Sequence, residues 1–118
     1  MLTHLDLGKK GEEIAQAHFL AQDYIILCAN WKVGRREIDL IVIKDQTLVF
    51  VEVKTLSSDL WGCPEKNVTP AKIRSIQAVA NGYMNGMKVL PKRIRFDIVS
   101  ITFRKDGSHE LVHFEDCF

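Results

Sequence analysis

Apolar residues recur along this chain with two different periods, and the switches between them mark out its elements. Residues 7–22 read as a helix: Ile14, Ala15, Phe19 and neighbouring alanines make one apolar stripe, and Asp6 stands where it can cap the first turn. Glu12, three and seven residues ahead of Ala15 and Phe19, borders the buried side of that helix. Tyr24–Ala29 reads as a short strand. Two strongly apolar, β-branched runs follow at about 37–44 and 48–54, separated by the polar break Lys44-Asp-Gln-Thr47. Both faces of this hairpin are apolar along most of their length, which predicts a sheet covered on two sides. Thr69-Pro70 supplies an N-cap followed by proline at the first helical position. The second helix then runs to about Asn85, with Ile73, Ile76, Ala80, Tyr83 and Met84 as its buried stripe and Gly86 as terminator. Arg93–Phe103 is a fourth strand and Leu111–Phe114 a fifth. The strand–helix–strand segment from 48 to 103 is long enough for a right-handed crossover to a parallel neighbour. The order αβββαββ predicts an α/β fold: one mixed five-stranded sheet flanked by helices.

Charge enters the hairpin where it is least welcome. If Asp45-Gln46 is a two-residue turn, partners across the strands have numbers that sum to 91, so Ile41 faces Phe50 and Asp39 faces Glu52. Lys54 emerges on the same face one step further along. Two opposed carboxylates repel, and a divalent cation between them removes the repulsion. A plainer arrangement uses the same register: Glu37 faces Lys54 as a simple ion pair, while Asp39 and Glu52 lie at a solvated strand end. Between Lys54 and Thr69, the stretch 55–68 has no clear periodicity and contains Trp61. That residue either folds back over the core or offers a ring to a base or a partner surface.

Composition narrows the classes. The 118 residues suit one domain spanning 1–118, with 47% hydrophobic and 26% charged residues. The N-terminus has neither a basic n-region nor an apolar h-region, and nothing approaches a membrane span, so a cytoplasmic protein with no membrane partner is expected. Cys28, Cys63 and Cys117 are odd in number and far apart, which suits a reducing compartment and argues against a structural zinc site. With a net charge of only +1, any nucleic-acid surface must come from local clusters. Candidates are Lys9-Lys10, Lys32 with Arg35-Arg36, Lys72 with Arg74, and Lys92-Arg93 with Arg95. The oligomeric state is left open, a dimer included.

A helix carrying an acid, an Asp-bearing strand, a Glu-x-Lys strand and a crossover helix together resemble the PD-(D/E)xK nuclease superfamily, the restriction-endonuclease-like three-layer fold. More closely, the chain resembles the YraN-like family of small bacterial proteins. The residues that carry this are Gly11-Glu12, Asn30 before a basic patch, Glu37-Ile-Asp-Leu-Ile41, Val49-Phe-Val-Glu-Val-Lys54, Val68-Thr69 with Lys72, Arg95-Phe-Asp-Ile-Val99 and Phe118. The resemblance implies that Asp39 and Glu52 are metal ligands, with the Val53 backbone carbonyl as a third. It also implies that Lys54 is the catalytic lysine and that Glu12 reaches the site directly or through water. Where family members usually carry glycine before the Glu-Ile-Asp block, this chain has Arg35-Arg36, which favours contact with phosphate.

The expected function is therefore hydrolysis of phosphodiester bonds in nucleic acid, DNA in preference to RNA, with Mg²⁺ or Mn²⁺ as cofactor. Arg35, Arg36, Lys72 and Arg74 are the candidate nucleic-acid contacts. Two rivals share the fold: a nucleic-acid-binding module without turnover, and a protein-interaction adaptor using the Trp61 loop.

Overall fold

The computed structural model describes residues 3–57 and 69–117. In chain order the elements are α1 (His4–Ala21), β1 (Ile25–Val33), β2 (Arg36–Lys44), β3 (Thr47–Ser57), α2 (Pro70–Asn85), β4 (Arg93–Phe103) and β5 (His109–Phe114). The strands form one mixed sheet in the order β1-β2-β3-β4-β5. All neighbours are antiparallel except β3 and β4, which pair in parallel over their whole length. The α2 crossover between them makes this possible. Among the described residues no helix is long and apolar enough to cross a membrane. The Trp61 reading and Cys63 lie outside the described residues.

A helix covers each face, giving three layers. On one side Ala15 and Phe19 of α1 pack with Leu40, Val42, Val49, Val51, Val99 and Ile101. On the other, Ile76, Val79 and Ala80 of α2 pack with Ile38, Ile41, Leu48 and Phe50. Phe19 and Phe50 are essentially fully buried, each contributing about 1.5–3 kcal/mol relative to exposure. The apolar character of both hairpin faces follows directly from this double cover.

Several boundaries differ from the sequence reading. The cap of α1 is Thr3, not Asp6: Asp6 is the third helical residue of a capping box, donating its N–H to Thr3 Oγ1 and accepting from Thr3 N–H at 3.1 Å. The first strand continues past Ala29 to Val33, since Trp31, Lys32 and Val33 pair with Ile38, Glu37 and Arg36 of β2. Residues 55–57 continue β3 because β4 pairs with them to Ser57–Phe103. Val79 joins the buried stripe of α2, and Ile73 is only half-buried.

The turn between β2 and β3 has both central residues at positive φ, Asp45 at 49° and Gln46 at 64°. That is the type I′ conformation, although Asp-Gln is a poor pair for it. The start of β4 compensates: Lys92 and Arg93 both donate their N–H to the Gln46 carbonyl, at 3.0 and 3.3 Å.

Arg95, read from sequence as part of a basic cluster, is half-buried and turned into an internal network instead. Its guanidinium donates to both oxygens of Asp97 and to the Tyr24 hydroxyl. Asp97 also accepts from His113 Nε2 at 2.7 Å and from the Asp116 N–H at 3.0 Å. His113 Nδ1 in turn lies within hydrogen-bond distance of His18 Nε2, 3.0 Å away. This network ties α1, β4, β5 and the C-terminal segment together.

Candidate functional site

Period-two alternation fails at one point in β2. Leu40 packs on the α1 side, yet Ile38, two residues earlier, packs on the α2 side with Trp31 of β1. Between them stands Asp39. On β1 the matching residue, between the pairs Ala29–Leu40 and Trp31–Ile38, is Asn30, in the left-handed region at φ 55°. Asparagine tolerates that conformation better than most residues. The β2–β3 ladder stops at Leu40–Val51, where the numbers sum to 91 as the two-residue turn requires. Beyond it the Asp39 carboxylate takes over the role of a backbone acceptor, receiving the Val53 N–H at 2.8 Å.

Glu52 lies on the α2 face of β3, as alternation from Leu48 and Phe50 demands, and Lys54 follows on that face. Asp39 and Glu52 both line a cleft of about 260 Å³ with Arg35, Arg36, Glu37, Lys72, Ser75 and Ile76. The arginines come from the β1–β2 turn, where Gly34 at φ 62° and Arg35 connect the paired Val33 and Arg36. Glu37 pairs with Lys32 across that hairpin at 3.8 Å, so the Glu37–Lys54 ion pair does not form. Arg74 is exposed and is not among the cleft-lining residues.

Two ammonium groups meet one oxygen of Glu52. Lys72 Nζ is 2.6 Å and Lys54 Nζ 3.6 Å from Oε1. Lys72, expected as a phosphate contact, is therefore engaged with the carboxylate. Burial and the neighbouring Lys72 push Lys54 below the usual lysine range, and Glu52 partly restores it. Asp39 is pushed up to about 7, by burial first and then by the charge of Glu52; the Val53 N–H opposes the rise, and Glu12 and Glu37 add to it.

Glu12 is within electrostatic reach of Asp39 but approaches from α1, on the opposite face of the sheet. Its carboxyl is raised by burial and by Glu37, and lowered by a hydrogen bond from the Asn30 side chain. Its position follows from Gly11, where an added Cβ would lie 2.5 Å from Thr55 Oγ1, so α1 sits hard against the strand that carries Lys54. Asn30 is the residue that sequence reasoning left without a role. Its signal was an asparagine inside an otherwise apolar, extended stretch.

Among the described residues no three His, Cys, Asp or Glu side chains are placed together to hold a metal ion. The donors that do meet, two carboxylates that repel each other, have the chemistry of a hard divalent cation site completed by backbone oxygen or water.

A family profile described as "Uncharacterised protein family UPF0102" matches residues 11–101. A UPF0102 protein of Flavobacterium psychrophilum is 40% identical over 118 residues, covering all of this chain and 98% of the relative. A UPF0102 protein of Porphyromonas gingivalis is 39% identical over 119 residues, covering 100% of this chain and 87% of its own length. Another, from Bacteroides fragilis, is 35% identical, with 100% and 96% covered.

Proposed function

The chain belongs to Uncharacterised protein family UPF0102, the YraN-like family, and on that premise we propose that it is a metal-dependent nuclease of the PD-(D/E)xK type. It hydrolyses phosphodiester bonds in nucleic acid, DNA in preference to RNA. The observation that carries this reading is the meeting of Asp39 and Glu52 in one cleft, with Asp39 held near neutrality by burial and by its neighbour's charge. A structural carboxylate pair gains nothing from that arrangement.

Asp39 and Glu52 would hold the ion, with the Val53 carbonyl as a third protein ligand and Glu12 acting through water. When bound, Mg²⁺ or Mn²⁺ polarises a non-bridging phosphate oxygen and acidifies a coordinated water. Lys54, whose lowered proton affinity favours the neutral amine, accepts a proton from the attacking water, and the ammonium so formed places positive charge beside the reacting phosphorus. Arg35 and Arg36, on the rim of the same cleft, hold flanking phosphates.

The test uses the full chain with Mg²⁺ or Mn²⁺ on single-stranded, duplex and branched DNA and on RNA. Asp39→Ala or Glu52→Ala abolishes cleavage while sparing retention of nucleic acid. Lys54→Ala abolishes turnover but leaves metal binding largely intact, and Lys54→Arg restores little, because guanidinium cannot act as a base. Arg35→Ala with Arg36→Ala weakens binding and flattens its salt dependence. A second reading is favoured by one observation: Lys54 and Lys72 already neutralise Glu52 without a metal. Wild-type protein that binds nucleic acid but cuts none of these substrates is then a binding module on this fold.

A further inference from the structure

Lys72 occupies an unusual position. It lies in the first turn of α2, where the helix's own positive end disfavours a cation, and none of the described residues of that turn is acidic. Its backbone N–H is taken by the Thr69 cap. Its ammonium reaches across to Glu52, whose side chain is only 13% exposed, and comes a full ångström closer than Lys54, which belongs to Glu52's own strand. It also feels the charge of Asp39. A single side chain thus stands as counter-ion to Glu52, within the field of Asp39, the other carboxylate of the proposed metal pair.

We infer that Lys72 gates this pair: it is displaced from Glu52 when a divalent cation enters, and is then released to a phosphate of the nucleic acid. The inference rests on the reading of Asp39 and Glu52 as cation ligands and adds to it a coupling between metal and substrate. The competition is physically unequal in the required sense. An ammonium brings one charge to one oxygen, whereas a divalent ion brings two charges to both carboxylates. The helix behind Lys72 need not move, because Thr69 caps it and Ile76, Val79 and Ala80 anchor it in the core. The flexible four-carbon stem can swing alone. Linkage then requires reciprocity: if metal frees Lys72 for phosphate, a phosphodiester that engages Lys72 tightens metal binding by the same factor.

Calorimetric Mn²⁺ titrations of the full chain, with and without a short DNA duplex in a non-cleavable phosphorothioate form, test this. Wild type, Lys72→Met, Lys72→Gln and Glu52→Gln are compared, with thermal unfolding confirming that each folds. Both Lys72 variants are expected to bind Mn²⁺ about tenfold more tightly than wild type in the absence of DNA, within the usual range of coupling between sites. The tightening of Mn²⁺ binding by DNA seen in wild type should vanish in both. If the Lys72 variants bind Mn²⁺ no better than wild type while Glu52→Gln loses it, the gate is wrong and the metal pair stands. If Mn²⁺ binding is absent, or insensitive to Glu52→Gln, the pair itself fails and the gate fails with it.

Discussion

Asp39 and Asp97 are carboxylates in the same sheet, and burial pushes both toward the protonated form. They finish on opposite sides of the ordinary aspartate range. Asp97 is fully buried, yet hydrogen bonds from His113, Arg95 and the Asp116 N–H outweigh the cost of burial and hold it low. Asp39 receives one N–H, from Val53, and faces Glu52, Glu12 and Glu37. The chain supplies one carboxylate with every partner it needs and sets the other nearest to like charge, with the closest ammonium held on Glu52. The first arrangement builds a scaffold; the second leaves a deficit that a proton or a bound cation can remove. Burial therefore does not distinguish the two residues, and the sign of the neighbouring charge does.

The largest expected effect breaks the completed side of this comparison. Asp97→Ala leaves Arg95 and His113 without their common acceptor, and should cost about 3–5 kcal/mol in denaturant unfolding. A loss under about 1 kcal/mol would show that the network is not what holds β4, β5 and α1 together.

Asp39→Asn should act in the opposite direction. It keeps an oxygen for the Val53 N–H but removes the opposed charge, so in chelator at pH 8 it should stabilise the protein by about 2 kcal/mol. Loss of stability would mean that the Asp39 charge is already compensated.

A pH series separates the two residues within one molecule. The folded pKa of Asp39 lies above its unfolded value, so its contribution is present at acid pH and is lost as pH rises through about 7. For Asp97 the folded value is depressed, so its contribution is present above the ordinary value of 3.8 and is lost as pH falls through the lowered one. Melting temperatures in chelator should fall on both limbs. Asp39→Asn should flatten the limb that runs from 3.8 up to about 7, and Asp97→Asn the limb below 3.8. Saturating Mn²⁺ should flatten the first limb in wild type and in Asp97→Asn alike.

The smallest effect concerns the seat of α1 above the site. Gly11→Ala places a Cβ against Thr55 Oγ1, an overpacking that should cost about 1 kcal/mol. Adding Thr55→Ala should recover most of it. Absence of recovery would locate the tight approach elsewhere.

Much of the scaffold was legible from residue pattern. Thr69-Pro70 and Gly86 marked the ends of α2, and Arg93–Phe103 was a strand from end to end, because caps and β-branched runs are local signals. The register of the central hairpin followed from the length of its turn, even though Asp-Gln is a poor type I′ pair. Polar residues were harder to place. Lys32 and the end of β3 are extended because neighbouring strands pair with them, and Asn30 is a left-handed kink between two such pairs. His18 and Arg95 carried no periodic signal that joined them to His113 and Asp97, since those contacts span most of the chain.

The sequence by itself determined the elements, their order and which strand positions carry Asp39, Glu52 and Lys54. Caps, turn length and side-chain alternation act over a few residues, so they can be read directly. Only the tertiary structure decided that the alternation breaks at Asp39, turning its carboxylate to the Val53 N–H, and that Lys72, from a separate helix, rather than Lys54 lies closest to Glu52. Those outcomes depend on where β1 kinks and where α2 docks, and such geometry arises when distant segments compete for the same space and the same charge.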